Sequence, residues 1–164
     1  MKKKIRGVIT YIIRGDNVLL IYKKKGHGKG WYNGPGGKID EGELPYQAAL
    51  RETEEEIGVI PENPELCGFI RFYDVLGEDW DVYIFRAYSY FGELRESDEA
   101  KPVWFNKDNI PYSMMWEDDI YWLPFVLKGE YFYAEFWFNG TSMRAKNVEK
   151  LDREVFYKKI KVFT

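Results

Sequence analysis

The chain carries one cysteine and one histidine in 164 residues. Cys67 alone cannot form an internal disulfide, and such sparing thiol usage suits a reducing compartment, so a cytoplasmic location is expected. His27 alone argues against a histidine-rich zinc site and against a Ser-His triad. No run of about 18 apolar residues occurs, so no membrane span is expected. Met1-Lys2-Lys3-Lys4 is not followed by the apolar core of a leader, because Arg6 and Arg14 interrupt it. A basic surplus is missing too. With a net charge of −3, neither a stable nucleic-acid partner nor an acidic membrane surface is expected.

What the chain does have is apolar and aromatic residues, 45% and 18%, a composition that folds. One domain spanning 1–164, with a core of useful size, is expected. So many rings serve either core packing or a ring-lined pocket. Ile5 to Ile13 and Val18 to Tyr22 read as strands joined by the turn Arg14-Gly15-Asp16-Asn17. Lys23 to Gly30 is a basic, glycine-rich loop, either solubilising or a lid that carries Lys23 towards phosphates. Trp31 to Pro35 reads as a short strand and turn. Leu66 to Val75 and Asp81 to Ser89 read as strands about a turn at Gly77-Glu78-Asp79. Tyr90 to Lys101 reads as an acidic loop, Val103 to Phe105 as a strand, and Asn106 to Ile110 as a helical turn. Trp116 to Lys128 reads as a helix that Pro124 kinks or restarts. Tyr131 to Phe138 is an aromatic strand. Beyond Thr141 the pattern admits helix or strand, and Tyr157 to Thr164 stays unassigned. Strands with one strong helix and a later one make an α+β, or mixed α/β, domain.

The most informative stretch runs from Gly36 to Val59. Gly36-Gly37 is a turn whose backbone can approach a phosphate or a metal closely. From Pro45 the pattern is helical, with Gly58 as its stop. Ala49, Leu50, Thr53 and Ile57 form the expected buried stripe. Glu52, Glu55 and Glu56 share another face, and Glu54 points elsewhere. Three carboxylates side by side repel unless cations neutralise them, and Mg²⁺ takes such oxygen ligands. Arg51 is placed to pair with this cluster or with Glu43. The plainer alternative is a solvated acidic helix face.

This stretch resembles the Nudix box: Gly37, Glu43, Arg51, Glu52, Glu55, Glu56, Gly58 and Val59 fill its pattern in order. Thr53 stands where an aliphatic residue is usual. A second set of residues is similar to the oxidised purine nucleoside triphosphatase branch, the 8-oxo-dGTP diphosphatases. It comprises Lys23 to Gly26, Asn33-Gly34, Gly36 to Lys38, Ser97 to Glu99, Trp104-Phe105 and Met115 to Trp122. Tyr32, His27 and Pro35 depart from that branch, which bears on the choice among oxidised bases.

The resemblance implies a curved mixed sheet sandwiched between helices. It implies a nucleoside triphosphate pyrophosphohydrolase requiring Mg²⁺, with Mn²⁺ as the alternative ion, acting in nucleotide-pool sanitation as a monomer or homodimer. Glu52, Glu55 and Glu56 would hold the metal, aided by the Gly36 carbonyl and Glu99. Glu52 or Glu99 would act as general base, with Arg51 as orienter. Lys23, Gly37 and Lys38 would meet phosphates. Asn33, Trp116, Asp118 and Asp119 would line the base pocket, with Phe72 and the His27 loop as walls. A guanine-type edge offers N1–H and N2–H₂ donors, which carboxylates accept and an amide complements. Glu117, Asp118 and Asp119 also read as a helix start, where acidic side chains cap. Another Nudix substrate, ADP-ribose or an unmodified NTP, and a nucleotide-sensing module without turnover are the rival functions.

Overall fold

A computed structural model describes residues 4–161, so Met1 to Lys3 and the end of the unassigned tail, 162–164, lie outside the described residues. The strands are β1 (Lys4–Arg14), β2 (Asn17–Lys23), β3 (Tyr32–Asn33), β4 (Gly36–Lys38), β5 (Val59–Pro61), β6 (Glu65–Val75) and β7 (Glu78–Ala87). They continue with β8 (Tyr90–Gly92), β9 (Ala100–Asn106), β10 (Tyr131–Gly140) and β11 (Ser142–Leu151). The helices are α1 (Pro45–Ile57), α2 (Asp119–Leu127) and α3 (Arg153–Ile160).

The main sheet runs β11-β10-β6-β7-β1-β2-β3, with β4 also on β1 and β9 also on β2. It is mixed: β1 runs parallel to β7 and β10 parallel to β6, while the hairpins are antiparallel. Alternation along β7 divides the core. Tyr83 and Phe85 meet Ala48 and Ala49 of α1 and Phe156 and Ile160 of α3 on one face. Val82 and Ile84 share the other face with Trp122, Leu123 and Val126 of α2. The sheet is thus covered by helices on both sides. Cys67 lies in the core of β6, and its thiol donates to the Ile84 carbonyl oxygen at 3.5 Å. Burial pushes that thiol up to about 12.

Several expectations need correction. Gly36 to Lys38 is a strand, because it pairs with Gly7 to Ile9 of β1. The β6–β7 turn falls at Leu76-Gly77, where both residues have positive φ, so β7 begins at Glu78 and includes Trp80. The acidic loop from Tyr90 contains β8, paired with β5, and the start of β9. The helical turn near 106–110 is displaced to a 3₁₀ turn at Tyr112–Met114. α2 starts at Asp119, not Trp116, and runs through Pro124 without a break. The tail resolves into both options in series: Val148 and Leu151 in β11, Val155 in α3. In α1 the buried stripe is Ala48, Ala49, Thr53, Glu56 and Ile57, with Leu50 only half-buried.

Candidate active site

α1 begins at Pro45, whose fixed φ suits the first turn, and Gln47 accepts a hydrogen bond from the Leu44 N–H at 3.0 Å. It stops at Gly58, in the left-handed region at φ 80°, whose N–H donates to the Glu54 carbonyl at 2.9 Å. Between these ends the helix lies against β4 so closely that side chains there would collide. A Cβ on Gly37 would come within 2.5 Å of the Glu52 carboxylate, and one on Gly36 would strike the Val8 carbonyl.

The Gly36 N–H donates to Glu56 Oε1 at 2.8 Å. Glu56 Oε2 is buried without a hydrogen-bond partner. Burial pushes this carboxyl up to about 7, against the Gly36 hydrogen bond and the charge of Lys23; Glu52 and Glu99 add to the rise. Burial also raises Glu52, opposed by Arg51. The Arg51 guanidinium ties the motif together. Its Nε and Nη2 fork onto Glu43 at 2.7 and 2.8 Å, while Nη1 reaches Glu52 at 2.7 Å and Glu55 at 3.3 Å. Nη2 also donates to the Lys38 carbonyl at 3.0 Å. The same fork holds the Glu43 carboxyl down to about 2.

Glu55 is exposed, as are the Lys38 and Glu99 side chains, and Glu54 faces away as expected. The Glu99 loop is anchored by the basic loop: the Lys24 N–H donates to the Glu99 carbonyl at 2.8 Å and its ammonium to the Ser97 carbonyl at 2.7 Å. That ammonium also pairs with Glu96. Lys24 therefore serves structural pairing, whereas Lys23 lines the adjoining cavity. Among the described residues, no three His, Cys, Asp or Glu side chains converge tightly as a ready-made metal cluster.

That cavity, of about 170 Å³, is lined by Lys23, Gly36 and Gly37 and also by Asn33, Asp118 and Asp119. Phe72, Trp116 and His27 line it as expected. Tyr11 O–H and the Gly34 N–H both donate to Asn33 Oδ1, at 3.4 and 2.8 Å, which fixes the amide. Asp118 occupies the N-cap of α2, yet its side chain caps nothing; it accepts the Trp122 indole N–H at 2.7 Å. Asp119 Oδ2 is buried and unpartnered. Burial raises both carboxyls, Asp118 to about 6, and the charge of Asp118 lifts Asp119 further. Sequence reasoning missed Trp31, Trp80 and Phe138 in this lining. The alternation Trp80-Val82-Ile84 would have revealed Trp80, had the turn before β7 been placed correctly.

A profile of the NUDIX domain matches residues 3–126. The chain belongs to the Nudix family. Among its relatives is an oxidized purine nucleoside triphosphate hydrolase of Danio rerio, 45% identical over 146 residues, which cover 88% of this chain and 92% of the relative. The protein of the same description from Mus musculus is 39% identical over 79% of this chain and 84% of its own length. A solved structure of a MutT protein from Bacillus halodurans superimposes with a TM-score of 0.80 at 28% identity, covering 88% of this chain and 97% of that one. This Nudix chain thus keeps the family's mixed sheet and flanking helices together with its full set of box carboxylates. None of the described helices is long and apolar enough to cross a membrane.

Proposed function

We propose that this Nudix chain hydrolyses oxidised purine nucleoside triphosphates such as 8-oxo-dGTP to the monophosphate and pyrophosphate. One observation carries the reading. A single cavity is lined by two buried carboxyls, a fixed amide, Lys23 and the Gly36-Gly37 backbone beside Glu52 and Glu56. The two animal relatives named above support the substrate class.

The donor set suits a hard divalent ion. It is all oxygen, and Glu56 Oε2 is a buried acceptor with nothing to accept from. Glu52, Glu55 and Glu56, with the Gly36 carbonyl and Glu99, would hold Mg²⁺ or Mn²⁺. Such an ion, when bound, neutralises phosphate charge and makes its water more acidic. Arg51 orients Glu52 through the 2.7 Å contact. Glu52 or Glu99 takes the proton of the attacking water. Lys23 and the Gly37 backbone face the phosphates, with Lys38 at the rim. Of Asp118 and Asp119, one carboxyl accepts from N–H groups of the base and the other, protonated, donates; Asn33 meets its mixed edge, and Trp116 stacks on the ring. Water attacks the β-phosphorus, the bridging bond to the α-phosphate breaks, and the monophosphate leaves. Action on the free nucleotide pool of the cytoplasm, as a monomer or homodimer, completes the proposal.

Pyrophosphate release from 8-oxo-dGTP, dGTP and dCTP with Mg²⁺ tests it. The expected outcome is the highest kcat/KM for 8-oxo-dGTP, with ¹⁸O from labelled water in pyrophosphate. Release of inorganic phosphate with a diphosphate product would overturn the assignment.

A further inference from the structure

The cavity has an aromatic arrangement that a neutral base does not require. The His27 imidazole packs against two indoles at once, 5.2 Å from Trp116 at 17° and 6.0 Å from Trp80 at 44°. Both indoles therefore border the space that the His27 ring fills. Trp80 is seated by Gly7, where a Cβ would lie 3.2 Å from its six-membered ring, and Phe72 is its cross-strand neighbour. Trp116 is braced edge-on by Trp31 at 4.8 Å and Phe138 at 6.0 Å. In the same lining Asp118 and Asp119 are buried, and Asp119 Oδ2 has no hydrogen-bond partner. The lining contains one ammonium, Lys23, whose charge acts on Glu56, and no guanidinium. Indole faces attract cations more strongly than other rings do, and the attraction grows when water is excluded.

We propose that the slot bordered by Trp80 and Trp116 takes purine rings that carry a positive charge, making N7-alkylated guanine nucleotides a further substrate class of this site. The proposal rests on the hydrolytic reading above for its phosphate chemistry. Alkylation at N7 places a formal positive charge on the fused ring and strengthens N1–H and N2–H₂ as donors. That charge meets the two indoles that flank His27 and lies beside the buried pair Asp118 and Asp119. A neutral guanine makes the same stack and hydrogen bonds without this added attraction. His27 does not oppose it. Burial lowers the imidazole pKa, with Lys23 and Lys38 acting the same way and Glu78 against, which favours the neutral ring. It sits in a loop whose Gly26, Gly28 and Gly30 all have positive φ, and the base enters as rotation of the His27 side chain clears the slot. The reaction itself is unchanged: water bonds to phosphorus, the bridging P–O bond breaks, and monophosphate and pyrophosphate form.

The test compares kcat/KM for 7-methyl-GTP and GTP, beside 8-oxo-dGTP and dGTP, using the full chain with Mg²⁺ at a mildly acidic pH that keeps N1 protonated. The 7-methyl compound should be preferred over GTP by about tenfold or more. Trp80→Leu should lower kcat/KM for 7-methyl-GTP several-fold more than for GTP, and Trp80→Phe should keep most of the preference. Quenching of wild-type tryptophan fluorescence should also occur at lower 7-methyl-GMP than GMP concentrations, a measurement that needs no variant. Equal kcat/KM for the two ribonucleotides, with equal quenching, would overturn the proposal. A preference for 7-methyl-GTP without one for 8-oxo-dGTP over dGTP would sustain it and remove the oxidised-purine reading instead. No turnover of any nucleotide, with tighter quenching by 7-methyl-GMP, would remove the hydrolytic reading and leave the slot.

Discussion

Asp118 and Asp119 are the residues where sequence left two readings open and packing separates them. Acidic residues before a helix normally cap it, but Trp122, one turn on, draws the Asp118 carboxylate inward instead. The pair then titrates abnormally. Both carboxyls are raised from an ordinary value near 4, chiefly by burial, Asp118 to about 6 and Asp119 well above that ordinary value. The folded chain therefore keeps protons that the unfolded chain has released, so stability should fall as pH rises from about 4 through 6 and above. Melting temperatures across that range should show the decline, and Asp119→Asn should flatten it. In turnover, the same substitution presents an N–H to a base N–H. At about 1–3 kcal/mol for an unpaired donor, it should cost 8-oxo-dGTP about 5- to 150-fold in kcat/KM. dCTP should lose much less; equal losses would take Asp119 out of base reading. Glu55→Gln and Glu56→Gln should each lower kcat by about 10² or more while the chain stays folded, since each removes charge facing the metal and opens no cavity. Near-native kcat in both would displace the proposed metal site.

Element by element, α1 was the most legible part of the chain. Proline at its start, glycine at its end and glutamates at three- and four-residue steps mark a helix whichever partner it finds. β4 was not legible, because three residues with two glycines carry turn chemistry, and only the edge of β1 makes them a strand. The function of this pairing is to set a distance. β4 holds Gly37 beneath Glu52 with no room for a methyl group. Gly37→Ala should keep the fold, since the β1–β4 backbone bonds need no glycine side, yet push the Glu52 carboxylate aside. A misplacement of about 1 Å typically costs about 10² in rate, and kcat for 8-oxo-dGTP should fall by that order. Circular dichroism should show unchanged secondary structure. Unchanged kcat would mean that Glu52 yields easily and that its position matters little.

At the scale of the whole molecule, the longer strands before the tail were legible in the sequence but their pairing was not. Period-2 alternation tells which residues share a face and says nothing about whether a neighbour runs parallel, so β1 on β7 and β10 on β6 were invisible. The same held for the tail, whose β11 and α3 are defined by β10 and by Phe69, Tyr83 and Phe85 rather than by their own pattern. These pairings put β6 inside the sheet, between β10 and β7, with Cys67 buried near its start. With its thiol held at about 12, only a fraction on the order of 10⁻⁵ is thiolate near pH 7, and no reagent reaches it without separating the strands. Its labelling by a disulfide reagent should thus track global unfolding, accelerating with denaturant as steeply as the equilibrium transition. Rapid labelling that denaturant does not change would instead reveal a local opening of the sheet. A chain proposed to clear nucleotides damaged by oxidants keeps its lone thiol where peroxide can attack it only in molecules that have already come apart.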